Sequence, residues 1–321
     1  MKLLIVRLSA FGDIVHALPL AANAQRAGAT VGWLCEARYR ELLEGNPNVD
    51  RLFLADTRGW RRKPAEGGTR SAFAQMRRDL AAFGADFTID VQGLWKSAIL
   101  ARAARAPVVG FDSSERREGL SSLLASRKVR PPDSSRHIVD RNLALLSAIG
   151  IPVVEPAPDA RYLLAAPSAE AAEFLPSVRR PYVLYHPGAG WPEKRWDPEK
   201  LAAVARTLEA RWGLSPVISW GPGDEAVVAI FEAALPGARR IPRLSPRALA
   251  HVAAGAALFV GNDTGPLHLA DALGTPTLAL FGPTDPARNG PYRGASFKFD
   301  ASTTTAEVAR KAAEIVAVDA P

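Results

Sequence analysis

The chain is poor in cysteine, in long apolar runs and in paired acidic residues, and each shortage narrows its chemistry. Its single cysteine, Cys35, excludes an intrachain disulfide and fits an unprocessed enzyme of the reducing cytoplasm. No apolar run is long enough to span a bilayer. Met1 and Lys2, followed by an apolar segment and alanine-rich residues 17–24, look superficially like a secretory signal, but Arg7 and Asp13 interrupt it. No Asp-x-Asp pair occurs, so neither a metal-bound diphosphate nor a cofactor is signalled, and cationic side chains are left to hold any phosphate. The Gly-x-Gly-x-x-Gly fingerprint is missing after the first apolar run, where only Gly12 is found. That argues against a nicotinamide-dependent oxidoreductase.

What the chain does have is length, a globular composition and an uneven charge. Its 321 residues, 48% apolar and 23% charged, allow about two domains with a core each. Residues 1–150 carry 23 Lys and Arg against 15 Asp and Glu, whereas the remainder carries 17 against 18. All of the positive excess therefore sits in the first half, which should attract an anionic partner: nucleic acid, a phosphorylated glycolipid or an anionic membrane surface. A nucleic-acid binder would have no need of the second phosphate-binding turn described below, and nucleic acid is not the expected partner.

The opening run, residues 3–8, reads as a buried strand, Ser9 to Gly12 as a tight turn and Ile14 onward as a helix start. In an open α/β sheet such a turn lies at the carboxyl end of the strand, where ligands gather. Asp13 then has two readings, a general base beside a bound hydroxyl or a helix cap. Residues 58–64, with Arg61, Arg62 and Lys63, show no helix or strand period and read as a mobile basic loop, either a solvated charge run or an anion site. A strand at 87–91 ends in Gln92 and Lys96, which suit substrate contacts or ordinary helix N-terminal chemistry. A proline-rich stretch from 152 to 181 suggests a domain junction. A second set of strand–turn–helix units follows. In it the turn at Asp263, Thr264 and Gly265 precedes a helix and presents free N–H groups to an anion, with a diphosphate as the natural guest.

These motifs resemble those of the lipopolysaccharide heptosyltransferases, glycosyltransferase family 9, and most of all the heptosyltransferase I branch. The resemblance rests on Ser9 to Asp13, on Asp90 to Leu94 with Lys96 and Ser97, and on Arg117-Glu118. It continues with Lys194 to Trp196, Trp220-Gly221, Asp263 to Gly265 with His268, and Gly282 to Pro286. His186 to Gly190 is closer to the second heptosyltransferases, which leaves a heptosylated acceptor as the alternative to the Kdo region of lipid A.

The resemblance implies an α/β fold of GT-B type, two Rossmann-like doubly wound domains facing across a cleft. The expected limits are 1–165 for acceptor binding, a linker at 166–180, 181–300 for the nucleotide sugar, and a C-terminal helix at 301–321 packing back on the first domain. It also implies inverting transfer of heptose from ADP-heptose with Asp13 as base. Lys194, Thr264 and Gly265 would hold the diphosphate, Asp263 the heptose hydroxyls and Glu225 the ribose. His268 belongs to the same donor site, more as a helix anchor than as a catalyst. Ser9, Gly12, Arg61, Arg62, Lys63, Gln92, Lys96 and Arg117 would meet the acceptor. The expected setting is a monomer at the cytoplasmic face of the inner membrane, held transiently by anionic lipid.

Overall fold

The computed structural model describes residues 1–62, 66–134 and 136–318, in two compact units, Met1–Pro158 and Asp159–Pro321. In the first, strands β1 (Lys2–Val6), β2 (Thr30–Glu36), β3 (Arg51–Ala55), β4 (Phe87–Asp90), β5 (Val108–Phe111) and β6 (Arg127–Val129) form one parallel sheet, ordered β3-β2-β1-β4-β5-β6. Helices α1 (Phe11–Val15), α2 (Leu18–Arg26), α3 (Thr57–Arg62), α4 (Gly67–Phe83), α5 (Trp95–Ala103) and α6 (Ile138–Ser147) accompany it. The central strands are apolar runs because a parallel sheet is covered on both faces. Leu3 to Val6 are completely buried, and Ile5 sits in register with Trp33 on one side and Ile89 on the other.

The second unit repeats the plan. Strands β7 (Tyr182–His186), β8 (Ser215–Ile218), β9 (Arg239–Arg240), β10 (Leu258–Asn262), β11 (Thr277–Phe281) and β12 (Ala295–Lys298) are all parallel, ordered β12-β11-β10-β7-β8-β9. Its helices are α7 (Ala169–Phe174), α8 (Pro198–Trp212), α9 (Glu225–Ala234), α10 (Pro246–Ala254), α11 (Gly265–Leu273), α12 (Pro286–Asn289) and α13 (Thr305–Val318). Numbered from each unit's own first strand, both sheets have the order 3-2-1-4-5-6. In such a sheet the winding reverses between strands 1 and 4, and the crevice beyond their carboxyl ends is the place for a ligand. That singles out the ends of β1 and β4 in one unit and of β7 and β10 in the other.

The structure adds local detail to several sequence-based expectations. It divides the chain between Pro158 and Asp159, ahead of the expected linker at 166–180, and side-chain bonds tie the start of the second unit to α10. Ser245 N–H donates to Glu170 Oε2 (2.9 Å), Arg247 Nη1 to Leu163 O (3.1 Å), and His251 Nε2 lies 3.0 Å from Ala166 O. Helix α13 buries Val308, Ala309 and Ala312 in the second unit's own core. The basic segment begins as helix rather than loop: α3 covers Thr57–Arg62 with no buried residue, and Trp60 packs edge-on against Phe73 at 5.5 Å.

Candidate functional site

In the first unit the candidate site is built at the ends of β1 and β4. Asp13 is the third residue of α1, not its N-cap, since the capping position is Ala10. Asp13 Oδ2 accepts the Ala10 N–H at 3.0 Å and pairs with Arg7 Nη2 at 2.6 Å. Both contacts fall on one oxygen, so Oδ1 is left unengaged among the described residues, on a side chain that is 44% exposed. Arg7, which is mostly buried, is held in turn by its Nη1 bond to Val91 O (2.9 Å).

Gln92, expected to touch substrate, also bonds this turn through its amide. Its Oε1 accepts the Leu8 and Ser9 N–H groups (2.8 and 3.3 Å) and its Nε2 donates to Ser9 Oγ (3.1 Å). Gly12 is buried inside α1. Ser9, Gly12, Asp13 and Gln92 are thus brought together.

Below Gln92 lies an ion pair with no exposed side-chain surface, Arg116 Nη1 to Asp90 Oδ2 at 2.9 Å. Asp90 Oδ1 accepts the N–H groups of Gln92 and Gly93 (both 3.2 Å). Arg116 also donates to Phe111 O (2.5 Å) and Ser121 Oγ (3.1 Å). Gly93 has φ +67°, a conformation that favours glycine, and a Cβ on Gly110 would stand 2.1 Å from Arg116 Nη2. These residues set the shape of the β4–α5 turn. Lys96 lies 3.9 Å from Glu36, a carboxylate buried at the end of β2 that also accepts the Thr57 hydroxyl. Arg61, Arg62 and Arg117 are exposed; Lys63 lies outside the described residues.

In the second unit the corresponding ends carry a cationic and hydroxyl-lined turn. Lys194 Nζ pairs with Asp263 Oδ2 at 2.5 Å and stands 5.1 Å above the ring of the exposed Trp191. His268 Nε2 lies 3.2 Å from Asp263 Oδ1, and Thr284 Oγ1 donates to Asp263 Oδ2 at 3.4 Å. Burial pushes the Asp263 carboxyl up, but hydrogen bonds from His268 and Lys194 outweigh it and hold the carboxyl below its ordinary range. His268 is 5% exposed, as a helix-anchoring residue would be.

Thr264 caps α11 with its backbone, while its Oγ1 is buried and has no hydrogen-bond partner among the described residues. The first N–H groups of a helix lack intrahelical acceptors, and Pro266 contributes none, so Gly265 and Leu267 supply the donors of this first turn. Glu225 is exposed at the first position of α9, its Oε2 accepting the Gly223 N–H at 3.0 Å. Trp196 is a core residue at 3% exposure.

Two groups were missed by sequence reasoning. Buried Asn262 ties this turn to β7, its Oδ1 accepting Trp196 N–H (2.9 Å) and its Nδ2 donating to Pro187 O (2.9 Å) and Gly188 O (3.2 Å). His186, at the end of β7, lies 3.0 Å from Ser219 Oγ, and burial keeps its pKa below the usual histidine value. The signal for both was a polar residue closing an otherwise apolar strand.

A sequence model of glycosyltransferase family 9 (heptosyltransferase) matches residues 73–314. Lipopolysaccharide heptosyltransferase 1 of Pseudomonas aeruginosa is 34% identical over 297 residues, 91% of this chain and 81% of that protein. The structure of Escherichia coli heptosyltransferase WaaC with ADP superposes with a TM-score of 0.82 at 27% identity, over 98% of this chain and 100% of that one. The same enzyme with ADP-2-deoxy-2-fluoro heptose gives 0.79 at 26%, over 98% and 99%. The two sheets and their helices are those of the GT-B fold. The chain belongs to glycosyltransferase family 9, the heptosyltransferases.

Proposed function

We propose that this enzyme transfers heptose from ADP-heptose to the Kdo region of lipid A, with inversion at the anomeric carbon. The observation that carries the reading is the carboxylate of Asp13, restrained through Oδ2 by Arg7 and the Ala10 N–H, with Oδ1 available. In this reading Oδ1 accepts the proton of a Kdo hydroxyl while that oxygen forms the new glycosidic bond. The bond from the anomeric carbon to the diphosphate breaks on the opposite face, and its electron pair leaves with ADP. A positioned base of this kind contributes about 10²- to 10⁴-fold.

The donor is assigned to the turn at Asp263, Thr264 and Gly265. Lys194 and the first N–H groups of α11 stabilise the growing charge of the diphosphate. The diphosphate competes with Asp263 for Lys194, and the unpartnered Thr264 hydroxyl is a ready donor to a phosphate oxygen. Asp263 serves the heptose hydroxyls and Glu225 the ribose. Lys96, Arg117 and the Arg61–Arg62 pair meet the carboxylates and phosphates of the acceptor through charge-assisted bonds. Ser9 and Gln92 shape the turn that carries the base. The enzyme works as a monomer at the cytoplasmic face of the inner membrane, held by anionic lipid rather than by nucleic acid.

The test is ADP release with ADP-heptose and, in turn, Kdo-lipid A and a heptosylated Kdo-lipid A. The expected result is turnover on the first, with Asp13→Asn slowed by about 10² or more while both KM values stay within a few-fold. Near-normal turnover by that variant sinks the base assignment, and preference for the heptosylated acceptor sinks the acceptor assignment.

A further inference from the structure

The 3-10 helix at Gly119–Leu124 is turned inside out. Ser121 and Ser122 are buried, whereas Leu120 and Leu123 are 70% and 67% exposed. The helix is laced to the start of α5 by two bonds: Glu118 Oε2 accepts the Trp95 N–H at 2.6 Å, and Ser121 Oγ donates to Gly93 O at 3.2 Å. On α5, one turn apart, Trp95 and Ile99 are likewise exposed, at 41% and 52%. Four large apolar side chains on two adjoining elements face water. A soluble monomer rarely leaves such a group outward without a use.

The charge of the same segment says what the use is. Residues 95–130 hold eight Lys and Arg against three Asp and Glu. The acids are engaged: Asp112 accepts from Ser114, Glu115 pairs with Arg141, and Glu118 holds Trp95. Arg116 is internal, while Lys96, Arg102, Arg117, Arg127 and Lys128 are exposed. Apolar side chains that include a tryptophan, set among outward cations, fit the boundary of an anionic bilayer. There the indole and the leucines enter the interface and the cations meet lipid phosphates.

We propose that Trp95, Ile99, Leu120 and Leu123 form the surface by which the first unit seats on an anionic lipid bilayer, with exposed Arg102 and Lys128 among its cations. This deepens the functional reading above and rests on its lipid-linked acceptor, because the surface adjoins the β4–α5 turn that carries Gln92, and α5 itself carries Lys96. It names the face of contact, which net charge alone does not.

The test is sedimentation with vesicles of phosphatidylethanolamine and phosphatidylglycerol, comparing the wild type with an Ile99→Gln/Leu120→Gln/Leu123→Gln variant and with Arg102→Glu/Lys128→Glu. Both variants are expected to keep the wild-type Tm and to bind vesicles about tenfold or more weakly. The apolar variant is expected to lose ADP release with Kdo-lipid A in vesicles and to retain it with a deacylated, water-soluble Kdo acceptor. Equal vesicle binding by wild type and apolar variant overturns the proposal. So does a wild-type dimer in sedimentation equilibrium that the apolar variant dissolves, since the surface would then join two copies. If the wild type turns over no Kdo acceptor while the variants still lose vesicle binding, the functional reading fails and the bilayer surface stands.

Discussion

A lysine at position 7 would reach either Val91 O or the carboxylate of Asp13, but not both, because only a guanidinium presents two separated donors in a fixed plane. Arg7 uses both, at 2.9 and 2.6 Å. Losing one charge-assisted bond is worth about 1.5–3 kcal/mol. Arg7→Lys is therefore expected to lower kcat about 10- to 100-fold while the donor KM stays within about twofold, as read by steady-state ADP release; an unchanged kcat would show that Asp13 needs no such restraint. Asp263 makes a different kind of prediction. Burial opposes its ionisation, yet His268 and Lys194 hold its pKa below the ordinary 3.8. A carboxyl lowered on folding stabilises the native state above the unfolded value, and that contribution is lost as the pH falls through the folded one. The Tm gap between wild type and Asp263→Asn should thus be widest near about pH 7 and shrink below about pH 4. A gap that is constant from pH 7 to pH 3 would mean that the pairing does not set the carboxyl's charge.

At the scale of the element, the β4–α5 turn depends on side chains that arrive from elsewhere in the chain. Asp90 ends β4, Arg116 comes in from beyond β5, and Gly110 on β5 leaves room for the guanidinium. Gly110→Ala places a methyl 2.1 Å from Arg116 Nη2 and displaces it from Asp90. Breaking a buried pair costs about 3–5 kcal/mol, which corresponds to a Tm drop of about 10 °C; a drop below about 2 °C in a thermal melt would show that Arg116 moves aside freely. The sequence makes some elements plain and hides others for related reasons. Strands β1, β2, β7, β10 and β11 are covered on both faces and read as apolar runs, so the expected strand–turn–helix units and the turns at Asp13 and Asp263 are found where they belong. The edge strands β6 and β12, Arg-Lys-Val and Ala-Ser-Phe-Lys, escape notice because half-exposed edges need no apolar pattern. Helix α3 is missed because it buries nothing and so shows no amphipathic period. The site's pairings were the least legible: Lys194 and Asp263 are 69 residues apart, and no local spacing announces them.

At the scale of the whole molecule, one sheet order is used twice with different charge. The half of the chain that carries Asp13 has all of the positive surplus, 23 cations against 15 anions in residues 1–150, whereas residues 151–321 are nearly balanced. A balanced unit suits a small donor held by a few directed bonds at a helix start. A cationic one suits a large anionic acceptor attracted over many contacts. Arg61 and Arg62 contribute to that surplus from the exposed end of α3, which buries no side chain, so reversing them disturbs little else. Each basic residue near an anionic surface contributes about 1 kcal/mol. Arg61→Glu with Arg62→Glu is therefore expected to raise the KM for Kdo-lipid A about tenfold or more, with the KM for ADP-heptose within about twofold and the Tm unmoved. The wild-type acceptor KM should rise with salt, and more steeply than that of the variant, since fewer charges remain to be screened. Equal rises in both KM values would mean that the cationic surplus acts on the donor as well, and the division of substrates between the two units would have to be redrawn.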